Sequence, residues 1–407
     1  MSSASPANSE WLTRKRLIDG KLNAAGWRVF PFDSAKPLTR LDRCAIEEYP
    51  TATGPADYAL CLRGQIVGIV EAKKLTLGPQ NVLSQAERYS KGISQPKLRA
   101  GDFGVPFLYS TNGEVIWHHD VRNSMNRSRQ ISEFHTPNAL TEKLSRNLDE
   151  CVSHLLSTPN TNQRLRPYQW DADAAIETAI ADRKRAMLVA MATGTGKTFT
   201  MVNEIYRLMK SGVARRVLFL VDRRALAAQA VRSFGSYEAD QGLKFDKIYE
   251  VYSQRFQRED FAEDEKFDPK VLPGSYLTDP KLGSAFLYVS TIQRMTINLF
   301  GREAVLGGNE EIEEDAEKLD IPIHAFDLIV ADECHRGYTS SEVAIWRKTL
   351  DHFDAIKIGL TATPDVTGEF CTRANVRETG TRGAEAWPGR STVQNRSSPC
   401  CDRSKSN

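Results

Sequence analysis

The chain has 407 residues, of which 41% are apolar and 26% charged; this composition indicates two or three folded domains and excludes disorder throughout. Its 54 lysines and arginines against 52 acidic residues leave a net charge of +2, so any contact with nucleic acid must come from local patches. No apolar run approaches the roughly 18 residues that cross a bilayer, and the start of the chain lacks the pattern of a secretory signal. Seven scattered cysteines without a CxxC pair indicate a reducing compartment, so we expect a cytoplasmic protein without membrane contact.

The first region, residues 1–155, shows both helical and strand patterns. Residues 10–25 carry apolar side chains near helical spacing, which predicts an amphipathic helix. Strand-like apolar runs follow at 58–62, 66–70 and 107–109. The dipeptide Arg63-Gly64 separates the first two runs and predicts a tight hairpin turn between them.

The second region, residues 163–370, alternates short apolar runs with longer helical patterns. The apolar runs lie at 186–190, 217–221, 286–290, 328–330 and 356–360. This alternation is typical of a buried parallel sheet flanked by helices. The polar residues 156–162 are interpreted as the linker between the two regions, and residues 371–407, which lack apolar periodicity, are predicted to be unstructured.

A glycine-rich segment, residues 191–198 with the sequence MATGTGKT, lies between a predicted strand and a predicted helix. Small residues at such a place let backbone N–H groups surround phosphates, while the lysine reaches the β- and γ-phosphates and the last threonine ligates Mg²⁺. Met191 replaces the first glycine of the strict pattern, but the rest of the pattern and both flanks fit. The predicted ATP-binding residues of this loop are Thr193, Gly194, Thr195, Gly196, Lys197 and Thr198.

The predicted strand at 328–330 leads into two carboxylates, Asp332 and Glu333. We expect Asp332 to contact Mg²⁺ and Glu333 to polarise the water that attacks the γ-phosphate. His335, two residues further on, is expected to couple the nucleotide to neighbouring elements. Following a phosphate-binding loop, this pair predicts an ATPase that uses ATP and Mg²⁺.

The predicted hairpin of the first region places two carboxylates and a lysine near each other. Asp57 precedes the first strand and Glu71 ends the second, so antiparallel pairing would bring them together to hold Mg²⁺ through oxygen ligands. Lys73 would face the same side as Glu71 and could orient or deprotonate a water. Standing alone, Asp…Glu-x-Lys is more often a surface salt bridge. The accessory residues of this site are predicted to be Gln85 and Tyr89, which share a helix face, and Glu48, which could equally be solvated.

The second region resembles superfamily 2 helicases and translocases of the DEAD/DEAH-like group over most of residues 163–364. Besides the loop and the acidic pair, the resemblance rests on LRPYQ at 165–169, VDRRALAAQ at 221–229, STIQ at 290–293 and LTATP at 360–364. It implies that Gln169 reads adenine and that Thr361 and Thr363 couple hydrolysis to movement. It also implies DNA contacts by Arg223, Arg224, Gln229, Ser290, Thr291 and Gln293. Taken singly, Ser290 or Thr361 could equally cap a helix.

The first region resembles the PD-(D/E)xK nucleases, and its combination with such a motor resembles the restriction (R, or HsdR) subunit of type I restriction–modification enzymes. The segments that carry this resemblance are TRKRLID at 13–19, YPTATGPADY at 49–58, EAKK at 71–74 and YSTNG at 109–113. It implies an α/β chain with a restriction-endonuclease-like domain followed by one RecA-like P-loop lobe. It further implies ATP-dependent translocation on double-stranded DNA, Mg²⁺-dependent endonucleolytic cleavage, and specificity (S) and methyltransferase (M) subunits as partners.

Two other functions stay open at this point. One is a related type III restriction or helicase subunit, against which the early position of the nuclease residues argues. The other is a non-catalytic fragment that binds DNA or a subunit. Motors of this kind need a second RecA-like domain, and the 43 residues after Pro364 are too few for one. We therefore expect a truncated chain, with residues 372–407 out of the family's frame.

Overall fold

The computed structural model of the protein describes residues 14–73, 83–93, 98–256, 269–305, 315–334, 340–362 and 384–386. These residues form two β-sheets, one in each half of the chain, with helices packed against both. The predicted α/β class is confirmed. No helix in the described part of the chain is both long enough and apolar enough to cross a membrane.

The first sheet contains seven strands, which are adjacent in the order in which they occur in the chain. They are β1 (Arg28–Pro31), β2 (Cys44–Thr51), β3 (Gly54–Leu62), β4 (Gln65–Ala72), β5 (Phe107–Thr111), β6 (Ile116–Asp120) and β7 (Arg129–Ile131). The pairs β1–β2 and β4–β5 are parallel, and the other neighbours are antiparallel. The three predicted strands of this region correspond to β3, β4 and β5.

The turn between β3 and β4 has the predicted residues at its centre. Arg63 and Gly64 adopt φ values of 47° and 72°. Positive φ at both central positions is the geometry of a two-residue hairpin turn whose twist matches that of the strands. The predicted hairpin is therefore confirmed.

Helices cover both faces of this sheet, which explains the nearly continuous apolar character of its central strands. A π-helical turn at Arg14–Ile18 leads into α1 (Asp19–Ala24), whose apolar side packs against one face. The helix α2 (Leu83–Lys91) packs against the other face. The helix predicted over residues 10–25 is thus present from Arg14, and residues 1–13 lie outside the described part of the chain.

Two helices, α3 (Pro137–Ser145) and α4 (Leu148–Ser157), connect the sheets. The apolar residues Val152 and Leu155 of α4 are buried in the core of the second sheet. The helix therefore belongs with the second unit although it crosses the boundary predicted at residue 155. It also extends two residues into the predicted linker, because its apolar face needs the second core for burial.

The second sheet has eight described strands in the order β11–β10–β12–β9–β13–β14–β8–β15. They are β8 (Ala186–Ala190), β9 (Arg216–Val221), β10 (Glu250–Ser253), β11 (Lys270–Val271), β12 (Phe286–Thr291), β13 (Leu328–Ala331), β14 (Ile356–Thr361) and β15 (Ala384–Ala386). All are parallel to their neighbours except β15, which pairs antiparallel with β8. The five predicted strands and their parallel pairing are confirmed as β8, β9, β12, β13 and β14.

The helices around this sheet fill the intervals between the strands. They are α5 (Pro167–Ala181), α6 (Lys197–Lys210), α7 (Arg224–Ser236), α8 (Phe245–Ile248), α9 (Gly274–Thr278), α10 (Ile292–Phe300) and α11 (Ser340–His352). Separate apolar clusters cover the two sides of the sheet. The strand β15 lies in the segment predicted to be unstructured, so that prediction is wrong for residues 384–386.

A pair of buried carboxyl groups lies between α5 and α6. Asp173 accepts hydrogen bonds from the side-chain amides of Asn160 and Asn203 at 3.0 and 2.7 Å. Glu204 is fully buried, and neither of its carboxyl oxygens has a hydrogen-bond partner among the described residues. Burial, reinforced by the charge of Asp173, raises the pKa of Glu204 well above its ordinary value. Burial also raises the pKa of Asp173 to about 8.

Replacing Glu204 with methionine is expected to stabilise the protein by about 1–3 kcal/mol near pH 8, because it removes a buried polar group without a partner. The raised pKa values mean that the folded state binds more protons than the unfolded state, so wild-type stability should fall as pH rises from about 4 to about 8. Thermal melting from pH 5 to pH 8 measures this loss. Glu303→Met, at an exposed glutamate, is the control. An equal loss in wild type and Glu204→Met would contradict the assignment.

Candidate active sites

The first candidate site lies on the hairpin formed by β3 and β4. Tyr58 pairs with Val70, and this antiparallel register places Asp57 opposite Glu71. The backbone N–H of Ala72 donates a hydrogen bond of 2.7 Å to an Asp57 carboxylate oxygen. The two carboxylates therefore meet across neighbouring strands, as the hairpin predicted, on the face of the sheet that α2 covers.

An arginine ties this pair to a third carboxylate. The Arg14 guanidinium donates to Asp57 Oδ1 at 3.1 Å and forms an ion pair with Glu48. Glu48 lies on β2 beside Asp57 and has a φ of 50°, a conformation that costs energy for a residue with a side chain and that is found preferentially at functional sites. The structure therefore brings Glu48 to the predicted site.

Lys73 lies beside Glu71. Its Nζ donates to Glu71 Oε1 at 3.0 Å, so the expectation that the two face the same side is confirmed. Gln85 and Tyr89 are both on α2, which packs against β3, β4 and β5. Gln85 Oε1 is buried and has no hydrogen-bond partner in the described part of the chain.

The donor set of this site suits a hard divalent cation. Asp57 and Glu71 offer carboxylate oxygens, the ligands that Mg²⁺ prefers. Burial raises the pKa of Asp57, although the Ala72 N–H and the charges of Arg14 and Lys73 favour its ionised form. Among the described residues no group of three or more His, Cys, Asp or Glu side chains is arranged to hold a metal.

The second candidate site lies at the carboxyl edge of the second sheet. The loop 191–196 connects β8 to α6, and Gly194 and Gly196 have φ values of 78° and 83°. Glycine is favoured at both positions because side chains rarely adopt this conformation. The geometry is the one that directs backbone N–H groups at a phosphate ahead of a helix N-terminus.

The predicted catalytic side chains converge on this loop. Lys197 Nζ forms an ion pair of 3.0 Å with Glu333 Oε1. Glu333 follows β13 and has a φ of 52°. Asp332 precedes it and accepts a hydrogen bond of 2.9 Å from the Glu333 N–H. The lysine and the acidic pair therefore lie together, and Thr198 lies in the first turn of α6.

Gln169 is placed differently from the expectation. Its Nε2 donates to the carbonyl oxygens of Thr195 and Gly196 at 3.0 and 3.3 Å, and its Oε1 accepts from the Arg166 N–H at 2.8 Å. Both ends of the amide thus bond to backbone, and the residue braces the phosphate-binding loop. Its reading of adenine stays a prediction.

Two of the residues that were predicted to contact DNA are buried in the structure. Ser290 and Thr291 are fully buried at the end of β12, and both side-chain hydroxyls lie within hydrogen-bond distance of Gln254 Oε1. Thr291 also caps α10 by accepting from the Arg294 N–H at 3.2 Å. The two hydroxyls are bonded inside the protein in this conformation, and DNA contact by Ser290 and Thr291 stays a prediction.

The remaining residues predicted for the second unit differ in their exposure to solvent. Arg223 and Gln229 are exposed, and Arg224 and Gln293 are half-buried. Thr361 is fully buried at the end of β14, and its carbonyl accepts from the Met191 N–H, which joins β14 to the phosphate-binding loop. His335 and Thr363 lie outside the described residues.

Three residues that make important hydrogen bonds were not among the residues predicted from the sequence. Arg14 joins Asp57 and Glu48 of the first candidate site, and Gln254 holds the end of β12. Asp354 links the two halves of the chain. It accepts from Arg129 at 2.6 and 2.7 Å and from Arg185 at 2.8 Å. The partners are distant in sequence, so no local pattern signals them.

The fold and the second site define a P-loop lobe of the helicase type, attached to a mixed sheet that carries two facing carboxylates. Residues 162–366 match the family model described as "Type III restriction enzyme, res subunit", and residues 34–144 match the model described as "Type I restriction enzyme EcoKI endonuclease subunit second domain". The chain belongs to this family of restriction-enzyme subunits. Within it, the chain groups with the restriction (R) subunits of type I enzymes.

Individual relatives agree with this assignment. The chain is 31% identical over 413 residues to the type I restriction enzyme EcoKI endonuclease subunit of Escherichia coli, covering 86% of this chain and 32% of the relative. It is 29% identical over 295 residues to the EcoAI endonuclease subunit of Escherichia coli, covering 69% of this chain and 30% of the relative. The chain thus spans about a third of the length of these curated relatives.

A solved structure also aligns with the chain. It is the fragment structure of a putative HsdR subunit from Vibrio vulnificus YJ016, with 22% identity and a TM-score of 0.29, covering 87% of this chain and 55% of that chain. The assignment to the family therefore rests on the sequence matches and not on this superposition.

Proposed function

We propose that this chain provides the ATP-binding and DNA-cleaving parts of a type I restriction subunit in the cytoplasm. Its activity would be ATP-dependent translocation on double-stranded DNA followed by Mg²⁺-dependent endonucleolytic cleavage, together with specificity (S) and methyltransferase (M) subunits. The observation that carries the proposal is the presence of two separate sites on one chain, the Lys197–Glu333 pair at a phosphate-binding loop and Asp57 opposite Glu71 on a hairpin.

In the nuclease site, Asp57 and Glu71 would hold Mg²⁺, which lowers the pKa of a bound water and stabilises charge on the scissile phosphate. Lys73, which bonds Glu71 at 3.0 Å, would orient that water. Glu48 and Arg14 would fix the position of Asp57 through the ion pairs already described. Gln85 and Tyr89, on the helix over this face, would contact DNA next to the metal.

In the ATP site, the amides of residues 193–198 would surround the phosphates, and Thr198 and Asp332 would contact Mg²⁺. The ion pair between Lys197 and Glu333 supports this arrangement, because it brings the lysine and the carboxylate to the same loop. When ATP binds, the lysine would turn to the β- and γ-phosphates and free Glu333 to polarise water.

Lys197→Ala is expected to weaken binding of a fluorescent ATP analogue by about 1.5–3 kcal/mol, since hydrogen bonds from a charged donor contribute that much. This corresponds to roughly a ten- to hundredfold higher Kd. Equilibrium titration of the 407-residue chain measures it, with Lys244→Ala, at an exposed lysine of the same lobe, as the control. Equal affinity of Lys197→Ala and the control would refute the ATP-site assignment.

A further inference from the structure

A cavity of about 1350 Å³ lies between the two halves of the molecule. Nine of its lining residues are lysine or arginine, and five are aspartate or glutamate. This local surplus of positive charge is larger than the net charge of +2 of the whole chain. The cationic residues come mainly from two segments, the loop between β6 and β7 and the residues that follow α5.

The cavity is distinct from both candidate active sites. Ala186, Arg216 and Ile356 line it, and they stand at the amino ends of β8, β9 and β14. The phosphate-binding loop and Glu333 lie at the opposite, carboxyl edge of that sheet. On the other side the cavity touches β6 and β7, whereas the nuclease carboxylates belong to β3 and β4.

The inner part of the cavity holds more cations than its carboxylates can balance. Arg129, Lys143 and Arg185 all form ion pairs with the single carboxylate of Asp354. Burial, with the charge of Arg129 next, lowers the pKa of Arg185 to about 10, and burial lowers the pKa of Lys143. An anion entering the cavity would therefore be attracted.

The rim of the cavity offers groups that suit phosphate oxygens. Arg127 and Lys184 are exposed and form no ion pair with any residue that the structure describes. Ser124 and Ser128 lie on the same loop as Arg127 and are also exposed. Arginine, lysine and serine side chains are the donors that bind nucleic-acid phosphates without reading sequence.

We propose that this cavity binds the phosphodiester backbone of duplex DNA, as a contact separate from the ATP and nuclease sites. Cations distributed over residues 122–129 and 183–185, in two domains, fit a ligand with several spaced phosphates better than a single small anion. The contact would hold DNA against both domains at once. The proposal rests on the proposed function, because it assumes that the chain acts on DNA.

The test is binding of the 407-residue chain to a fluorescently labelled 30-base-pair duplex, followed by anisotropy from low to moderate salt without nucleotide. The variant is Arg127→Ala/Lys184→Ala, and the matched control, Lys244→Ala/Lys281→Ala, removes two exposed lysines elsewhere. Since each phosphate contact contributes close to one unit to the slope of log K against log salt, the variant should reduce that slope by about 2, and the control should not change it.

The possible results separate this proposal from the proposed function. A slope reduced only in the cavity variant supports the proposal. Wild-type chain that binds DNA with a slope equal to that of the cavity variant overturns the cavity site and leaves the proposed function standing. Wild-type chain without measurable DNA binding overturns both. Thermal melting of each variant shows whether a lost contact reflects lost folding.

Discussion

Lys73→Ala, introduced into the assembled restriction enzyme, is expected to lower the rate of DNA cleavage about 10²–10⁴-fold while ATP turnover stays unchanged. Lys73 bonds Glu71, and in the proposed function it would orient the water that a metal on Asp57 and Glu71 would activate. Asp57→Ala should likewise abolish cleavage, because it removes a proposed metal ligand. The measurements are conversion of a supercoiled plasmid to linear product and release of phosphate from ATP.

The control for this experiment is Lys36→Ala, which removes an exposed lysine from the same domain. It should cut and hydrolyse as the wild type does. Cleavage at the wild-type rate by either Lys73→Ala or Asp57→Ala would show that the nuclease site is elsewhere. Loss of ATP turnover together with cleavage would instead point to a defect in assembly.

Asp354→Asn is expected to destabilise the chain by about 3–5 kcal/mol, the usual effect of breaking a buried ion pair by removing one partner. The side chain of Asp354 is 2% exposed and faces Arg129, Lys143 and Arg185. Although burial opposes ionisation, these cations hold the pKa of Asp354 well below its ordinary value. Without the carboxylate, three half-buried cations would lose their shared anion.

Thermal melting measures this effect, and Asp351→Asn provides the control, since that carboxylate is 67% exposed and pairs only with Lys357 among the described residues. An exposed pair of this kind contributes about 0–1 kcal/mol. Because a lowered pKa stabilises the fold only above the unfolded value near 4, the difference between Asp354→Asn and wild type should shrink as pH falls below about 4. A melting temperature unchanged at neutral pH would contradict the assigned role.

The features that the sequence predicted correctly are local in the chain. The turn at Arg63-Gly64, the alternation on either side of it and the glycines ahead of Lys197 each depend on a few consecutive residues. A few consecutive residues determine the backbone conformation of a turn, so the hairpin and the conformation of the glycine-rich loop could be predicted. The five predicted strands of the second sheet were recognisable because burial on both faces makes them continuously apolar.

The features that it did not predict depend on pairing between distant residues. Arg14 is 43 residues from Asp57, and Asp354 is 225 residues from Arg129. A motif match gives the residue type but not its burial, which is why Ser290 and Thr291 were expected to reach DNA. The edge strand β11 and its neighbour β10 are short and carry little apolar signal of their own.

Binding of Mn²⁺ to the 407-residue chain, followed by electron paramagnetic resonance, tests most directly whether two separate phosphate-chemistry sites exist on it. Mn²⁺ replaces Mg²⁺ at oxygen ligands. Wild type should bind Mn²⁺ without nucleotide and bind more when a non-hydrolysable ATP analogue is added. Asp57→Asn should lose only the nucleotide-independent binding, and Lys197→Ala only the nucleotide-dependent binding. Nucleotide-independent Mn²⁺ binding by Asp57→Asn with wild-type affinity would contradict the nuclease site, and unchanged nucleotide-dependent binding by Lys197→Ala would contradict the ATP site.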